Sequence, residues 1–434
     1  MPTTGDPTQP VINLSRPENS PSRKPGRPVL IYLVVVWAIA IAAIVGGRKA
    51  TGGFNFLAGS HAAPATEKLI ASPDSWIEGS FVASPDSRRI AYLNRTGEKQ
   101  LVVVDGMQGK TYDEIGAASF RFSPDSKHTA YYARAGAKWV VVADGAEGAL
   151  YDGIEKETLA FSPDSERMAY LARSGDKWVV VVGGKEGKPF DTIPKLSPAF
   201  SPDSRHVAYL ANSGDNWFVV VDGKEGGSFD GVAKISPVFS PDSRRVGYLA
   251  KSGDKWFAVI DGQQGKPYDA VSDIGLSFSP DSRRVAYGAK AGAKWFIVVD
   301  GIAGKPYDAL VNNVRFSPDS QRVAYAVRSG DQWVAVVDGN EGKPHAGLGE
   351  NGVRFSPDSR RVAYDVQDAG KWVMVVDGIE GKPYDGFAET GLRFSPDSQR
   401  VAYLAKSGFK WVAVVDGKEG KLYDGFTNVS FSPD

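Results

Sequence analysis

One phrase, Ser-Pro-Asp-Ser, returns along most of the chain at a nearly constant spacing. From Ser84 to Ser395 seven of the intervals are 39 residues long and one is 38. A fixed period of this length is typical of architectures in which each unit covers its apolar faces with its neighbours. The phrase begins at Ser84, Ser123, Ser162, Ser201, Ser240, Ser279, Ser317, Ser356 and Ser395, and Ser432-Pro433-Asp434 follows as a partial copy.

The first half of each unit predicts two strands joined by a tight turn. In the unit that begins at Val314, Val314 and Phe316 share one face of a short strand by period-two alternation. Residues 317–320 predict a turn, because proline presets φ and the flanking polar side chains bond local backbone. Residues 322–327 alternate again, which predicts a second strand.

The second half of the unit predicts two further strands. Residues 329–331 form a second reversal, and the strand from Trp333 to Val337 is apolar on both faces, as expected between neighbouring sheets. A loop opens at Asp338-Gly339, and a short fourth segment, written Lys-Pro-Tyr-Asp in three units and in variant forms in the others, completes the sheet. The predicted fold class is therefore all-β, a β-propeller of four-stranded antiparallel blades in about 8–9 units over residues 80–434.

The repeat also resembles a known family. Phe-Ser-Pro-Asp, a basic pair, Val-Ala-Tyr and a β-rich run ending in Asp-Gly are similar to the WD-repeat-like propeller repeats of the TolB type. The resemblance covers about Ser80 to Asp434 and implies a propeller fold, with partner binding as the role it suggests. This chain departs from the family pattern in the serine that follows Ser-Pro-Asp, where glycine is usual. The partial copy at Ser432 either overlays the first blade to close a ring or begins a tenth repeat.

An uncharged apolar run precedes the repeats. Residues 29–47 would span about 28 Å as a helix, close to the thickness of a bilayer core, and predict one transmembrane helix. Residues 1–28 are polar and proline-rich and predict a disordered cytoplasmic arm, and residues 48–79 predict a linker with a first strand. Four basic residues on the amino side against two on the carboxyl side favour a cytoplasmic N-terminus: Arg16, Arg23, Lys24 and Arg27, then Arg48 and Lys49.

This orientation predicts a single-pass inner-membrane protein whose propeller is periplasmic or extracellular. The alternative is a cleaved signal peptide with a site at Ser60-His61-Ala62 or Ala63-Pro64-Ala65. The long charged leader, the length of the apolar run and the distance from that run to either site favour the uncleaved anchor.

Composition excludes several classes of protein. Lys and Arg together number 51, as do Asp and Glu, so the absence of a basic excess argues against nucleic-acid binding. The chain has no cysteine, which excludes disulfide scaffolds, thiolate metal sites and cysteine nucleophiles. No cofactor motif is present, because the glycines of the Asp-Gly loops neither precede a helix nor accompany closely spaced oxygen ligands.

Residues repeated in every unit are expected to be structural. A tryptophan opens the third strand in eight units, and inter-blade packing is favoured over a ring of aromatic binding sites. The aspartate of each Ser-Pro-Asp is expected to cap its turn, since an active site needs unlike groups at one place. His128 and His206 take a position where other units carry arginine, and solvent-facing substitution explains them. The tryptophans are Trp139, Trp178, Trp217, Trp256, Trp295, Trp333, Trp372 and Trp411.

Departures from the repeat are better candidates for binding. Four units carry arginine before the first-strand phenylalanine, namely Arg121, Arg315, Arg354 and Arg393, where other units have Ala, Val or Ser. The last three fall in successive units and suggest a site for an anion or an acidic peptide. The variable segments between the fourth and first strands, including Asn312 and Asn313, are expected on a rim that receives partners.

These features predict a membrane-anchored extracytoplasmic propeller that acts as a protein- or ligand-binding scaffold and is not an enzyme. The partners expected are the membrane, through one helix, and a protein or peptide on the propeller rim. The main alternative is a propeller hydrolase or lyase with a site in the central channel. A purely structural envelope spacer is the third possibility.

Overall fold

The fold is known from a computed structural model that describes residues 76–116, 118–195, 198–234, 237–310, 314–349, 352–388, 391–426 and 429–432. They form nine antiparallel sheets, which we number 1 to 9 in chain order. This confirms the all-β, four-stranded prediction and is consistent with a β-propeller. The proposed anchor 29–47, the arm 1–28 and the linker up to Ser75 lie outside the described residues. In the described ranges no helix has the length and hydrophobicity needed to cross a membrane.

The second and third strands lie at the centre of each sheet and pair antiparallel along their whole length. The second strands, which carry the Val-Ala-Tyr alternation, are Ile90–Thr96, Thr129–Ala135, Met168–Ser174, Val207–Ser213, Val246–Ser252, Val285–Ala291, Val323–Ser329, Val362–Asp368 and Val401–Ser407. The third strands are Lys99–Val104, Lys138–Ala143, Lys177–Val182, Asn216–Val221, Lys255–Ile260, Lys294–Val299, Gln332–Val337, Lys371–Val376 and Lys410–Val415.

The outer strands vary in length, from two residues in many sheets to the nine of Ala270–Phe278. The fourth strands are Met107–Gln108, Ala146–Tyr151, Lys185–Glu186, Lys224–Phe229, Gln263–Gln264, Ile302–Ala303, Asn340–Glu341, Ile379–Tyr384 and Lys418–Tyr423. The first strands are Val82–Ala83, Glu114–Ile115 with Arg121–Phe122, Gly153–Ile154 with Ala160–Phe161, Ala199–Phe200, Gly231–Val232 with Val238–Phe239, Ala270–Phe278, Ala309–Leu310 with Arg315–Phe316, Gly347–Leu348 with Arg354–Phe355, and Gly386–Phe387 with Arg393–Phe394.

Apolar side chains fill the seams between consecutive sheets. Between sheets 6 and 7, Ile297 of one sheet packs with Val314 and Tyr325 of the next. The same arrangement recurs along the chain, so each sheet covers the face of its neighbour, as the repeat period requires. Val429, which is 1 % exposed, packs on sheet 9 with Leu404 in the way that Val314 packs on sheet 6. The partial tenth copy therefore takes the place of a following first strand.

The Ser-Pro-Asp-Ser turn is held by its own side chains. In sheet 7 the Ser317 hydroxyl donates to Asp319 Oδ1 and accepts the backbone N–H of Arg322 at 2.9 Å. Asp319 Oδ1 also accepts the N–H of Gln321 at 3.0 Å. These bonds confirm the prediction that the repeated aspartates cap turns.

The last serine of the turn links one sheet to the next. This serine adopts φ between 59° and 69° in all nine turns, a conformation that favours glycine. Its hydroxyl accepts the backbone N–H of the turn aspartate in the preceding sheet, as in Asp242 N–H to Ser282 Oγ at 2.9 Å. Serine thus replaces the usual glycine because its hydroxyl satisfies a backbone donor across the seam.

Replacing this serine tests the link. We expect Ser282→Ala to lower the free energy of unfolding by about 1–2 kcal/mol, because it leaves the Asp242 N–H without its acceptor and keeps the costly φ. Ser282→Gly should cost less, since glycine adopts that φ freely. Urea unfolding measures both, with the exposed Ser329→Ala as a control. Equal losses for alanine and glycine would contradict this account.

The turn carboxylates also predict how stability depends on pH. Donation by the Ser240 hydroxyl, and then by a backbone N–H, lowers the pKa of Asp242, and the same bonds act in the other turns. A carboxyl with a lowered folded-state pKa stabilises the fold above its ordinary pKa, and this contribution is lost as pH falls through the lowered value. We expect urea midpoints to change little between pH 7 and about 5 and to fall below about pH 4. A flat profile to pH 3 would be inconsistent with these bonds.

Candidate functional site

The variable segments interrupt the first strand of a sheet. In sheet 3, Gly153–Ile154 and Ala160–Phe161 both pair with the second strand, Met168–Ser174, and residues 155–159 project between them. In most sheets a single aspartate, such as Asp152, joins the fourth segment to the next first strand. The expectation that these segments join the fourth and first strands is therefore wrong in sheet 3, because both flanking pieces bond to one partner strand.

Three of the predicted arginines follow such an interruption in successive sheets. Arg315, Arg354 and Arg393 lie on the first strands of sheets 7, 8 and 9 and pair with an alanine of the second strand. Directly paired residues share a face of the sheet. The alanines paired with Arg315 and Arg354 belong to the clusters buried against the next sheet, so these two arginines lie on the face turned toward the following sheet.

The three guanidinium groups influence one another. Burial lowers the pKa of Arg354, and the positive charges of Arg315 and Arg393 lower it further. Arg315 is exposed, whereas Arg354 and Arg393 are partly buried. The structure thus brings these three predicted residues into one positive patch along the edges of three sheets. We call Arg315, Arg354 and Arg393 the arginine edge.

The other predicted site residues are not placed there. Arg121 lies on the first strand of sheet 2, and its guanidinium donates to the backbone oxygens of Ala118 and Phe120 at 2.7 and 2.9 Å. Arg121 therefore stabilises the loop that precedes it in its own sheet. Asn312 and Asn313 lie outside the described residues.

A buried carboxylate next to the arginine edge was missed from the sequence. Asp365, on the second strand of sheet 8, is 8 % exposed. Burial raises its pKa, and Arg354 opposes that shift. The corresponding residue of every other sheet is uncharged: Leu93, Tyr132, Leu171, Leu210, Leu249, Gly288, Ala326 and Leu404. Aligning the units at this position would have revealed it.

A glycine makes room for this carboxylate. The backbone N–H of Gly349 donates to the Asp365 carbonyl at 2.8 Å. A Cβ on Gly349 would lie 1.9 Å from Asp365 Oδ2. Sheet 2 also has a glycine at this position, next to a large side chain of the second strand: a Cβ on Gly116 would lie 2.1 Å from the ring of Tyr132. Glycine occurs here because a side chain of the second strand reaches over the first.

The seam between sheets 7 and 8 departs from the repeat as well. Between sheets 6 and 7, Asp308 accepts the Gly330 N–H at 2.7 Å and pairs with Lys294 at 2.5 Å. At the next seam Ala346 replaces this aspartate. The buried ring of His345 instead contacts Asp368 through Nδ1 at 2.6 Å. Sheet 8 therefore carries unusual polar groups on both of its faces.

The remaining conspicuous residues are structural. Trp139 is half-buried and contacts the ring of Tyr132 in its own sheet edge-on, with centroids 5.7 Å apart. It also packs against the apolar cluster that sheets 2 and 3 share, as predicted for packing between sheets. His128 and His206 take the place of arginines that pair with the Asp-Gly turn, and each contacts the turn aspartate through Nδ1 at 2.7 Å. Among the described residues no group of three or more His, Asp or Glu could hold a metal ion.

The arginine edge is suited to binding an anion. Arg354 lies on the same face of sheet 8 as the buried carboxylate of Asp365, and the positive charges of Arg315 and Arg393 act on Arg354. Guanidinium groups bind carboxylates and phosphates through directed, charge-assisted hydrogen bonds.

Comparison with known proteins gives only distant matches. No protein-family model and no curated protein sequence matches the chain. A eukaryotic initiation factor is 13 % identical, over 80 % of this chain and 98 % of that one, with a TM-score of 0.38. TolB from Acinetobacter baumannii is 13 % identical over 70 % and 80 %, with a TM-score of 0.27. The β-propeller domain of the Trilobed protease from Pyrococcus furiosus is 15 % identical over 61 % and 96 %, with a TM-score of 0.26.

Proposed function

We propose that this chain is a membrane-anchored β-propeller outside the cytoplasm that binds a protein partner and catalyses no reaction. The anchor is residues 29–47, with the N-terminus in the cytoplasm. The rigid stack of sheets presents the first-strand edges of sheets 7–9 to the partner. The observation that carries the proposal is the arginine edge, the place where three consecutive units depart together from the repeat.

Two features support binding over turnover. The repeated carboxylates are engaged locally, as turn caps or in ion pairs such as Lys294 with Asp308. The departures from the repeat form a charged surface on a scaffold held by eight serine links between consecutive sheets. Variable positions on a rigid scaffold are where binding functions commonly reside.

A crosslinking pull-down from membranes tests the proposal with the full chain. We expect wild type and Arg121→Ala to capture the same partner, and the triple variant R315A/R354A/R393A to lose it. A swap of Asn312 and Asn313 for the corresponding residues of another unit tests the neighbouring segment. Capture of the same partner by the triple variant, or substrate turnover in a peptidase, lactonase and glycosidase screen, would overturn the proposal.

Protease accessibility tests the anchor separately. A tag before residue 1 should remain attached to the mature protein and be protected inside intact cells, while the sheets should be digested once the outer barrier is opened. Loss of the tag from an exported protein would show instead that a signal peptide is cleaved.

A further inference from the structure

Asp365 stands out because a buried carboxylate interrupts an apolar seam. Its strand neighbour Ala363 packs against Leu392 and Phe394 of sheet 9. Strand residues two apart share a face, so Asp365 is turned toward the same seam. A carboxylate in such surroundings is costly to keep ionised unless a positive charge compensates it.

The compensating charge belongs to the arginine edge. Arg354 pairs directly with Ala363, which places it on the same face of sheet 8 as Asp365, one alternation along the strand. Arg354 favours the ionised form of Asp365, and Asp365 in turn offsets the repulsion that Arg354 receives from Arg315 and Arg393. The central arginine is therefore shared between an internal carboxylate and any external anion.

We infer that the arginine edge binds an acidic segment of a protein partner and that this binding is accompanied by proton uptake on Asp365. The inference rests on the proposed function and adds the chemistry of the partner and its control by pH. A carboxylate-rich peptide fits better than a nucleic acid, because the positive patch is confined to three strands of a chain with no net charge.

The direction of the coupling follows from charge. Burial already holds the pKa of Asp365 above its ordinary value, a hydrogen bond from its own backbone N–H opposes this rise, and the charge of Arg354 limits it further. An acidic ligand that neutralises Arg354 removes this limit, so the pKa of Asp365 is higher in the complex than in the free protein. A group whose pKa rises on binding takes up a proton, and affinity therefore increases as pH falls toward that pKa.

Few other titratable groups face Asp365. The seam contains two tyrosines, Tyr384 and Tyr403, and burial raises the pKa of both, so they stay neutral over the pH range of the test. Phe387, Leu392 and Phe394 of sheet 9 are apolar. His345 and Asp368 contact each other, and Asp368 lies on the opposite face of sheet 8 by strand alternation. Glu350 and Glu389 belong to the segments that interrupt the first strands of sheets 8 and 9, and both lie outside the described residues. They require a control of their own.

Calorimetry with a synthetic peptide tests the inference. The probe is a hexapeptide of cysteic acid, whose sulfonates stay ionised between pH 5.5 and 7.5. Hexaglutamate serves as the comparison peptide at pH 7.5. We expect the full chain to bind the probe about tenfold more tightly at pH 5.5 than at pH 7.5 and to take up a fraction of one proton per peptide. Asp365→Asn should bind at pH 7.5 about as tightly as wild type at pH 5.5, with the pH dependence lost.

Matched variants distinguish the possible failures. D365L places at this position the leucine that five other sheets carry, and it should also abolish the pH dependence. E350Q/E389Q should retain it. The proton coupling is overturned if wild-type binding is independent of pH, or if the pH dependence persists in D365N and D365L. Either result leaves the proposed binding function standing. Tighter binding of a thymidine hexanucleotide overturns the choice of partner, and no anion binding at any pH overturns the site.

Discussion

Substitution of Gly349 by alanine is expected to lower the free energy of unfolding by about 2–3 kcal/mol. The added Cβ would lie 1.9 Å from Asp365 Oδ2, and the backbone bond from Gly349 N–H to the Asp365 carbonyl leaves the strand little freedom to move away. Overpacking of this kind typically costs about 1–3 kcal/mol, and displacing a buried carboxylate adds to it. Urea unfolding followed by tryptophan fluorescence measures the loss.

The cause of this loss is tested by a second substitution. Because the clash is with one side chain, D365A should rescue most of it, and the two substitutions should show a coupling of about 1–2 kcal/mol. Ala388→Gly provides the control, since Ala388 takes the same position in sheet 9 opposite Leu404. A Gly349→Ala protein as stable as wild type, or one that D365A does not rescue, would contradict the described packing.

Reversal of the charge at Arg354, the central residue of the arginine edge, is expected to have a large effect on binding. Arg354→Glu should weaken the affinity for the hexaglutamate probe at pH 7.5 by about 100-fold or more. The substitution removes the central attraction, adds repulsion and leaves two carboxylates on one face of sheet 8. Titration calorimetry at low salt measures the change, and the salt dependence of wild-type binding should be correspondingly steep.

Two further variants separate charge from folding. Arg354→Gln keeps the length of the side chain without its charge and should weaken binding by about 10- to 30-fold while unfolding near the wild-type urea concentration. Arg121→Glu changes an arginine of the same register in sheet 2, whose guanidinium serves its own loop, and should leave affinity almost unchanged. Equal effects of R121E and R354E would mean that general charge, and no local site, governs binding.

Much of the fold could be predicted from one unit of the repeat. Period-two alternation located the second strand, Val323–Ser329, and a run apolar on both faces located the third strand, Gln332–Val337, each to within one or two residues. The turn chemistry of Ser317 and Asp319 also followed from sequence, because serine and aspartate side chains bond nearby backbone wherever the chain turns. These features are local, and nine copies reinforced each prediction.

Features that depend on contacts between units were not predicted. The role of Ser282 requires an N–H donor from the preceding sheet, which its own unit does not reveal. The interruption of the first strand was mistaken for a connection, since two-residue strand pieces carry almost no periodic signal. Asp365 and Gly349 form a pair across two strands, and only their placement in the seam shows why a charge is tolerated there.

Photocrosslinking shows where an acidic partner binds on the scaffold. The measurement uses hexaglutamate carrying a diazirine group, followed by mass spectrometry of the crosslinked chain. We expect crosslinks to concentrate on the first strands of sheets 7–9, around Arg315–Phe316, Arg354–Phe355 and Arg393–Phe394, and to disappear in R354E. Crosslinks on the Ser-Pro-Asp-Ser turns, or spread evenly over all nine sheets, would contradict this expectation.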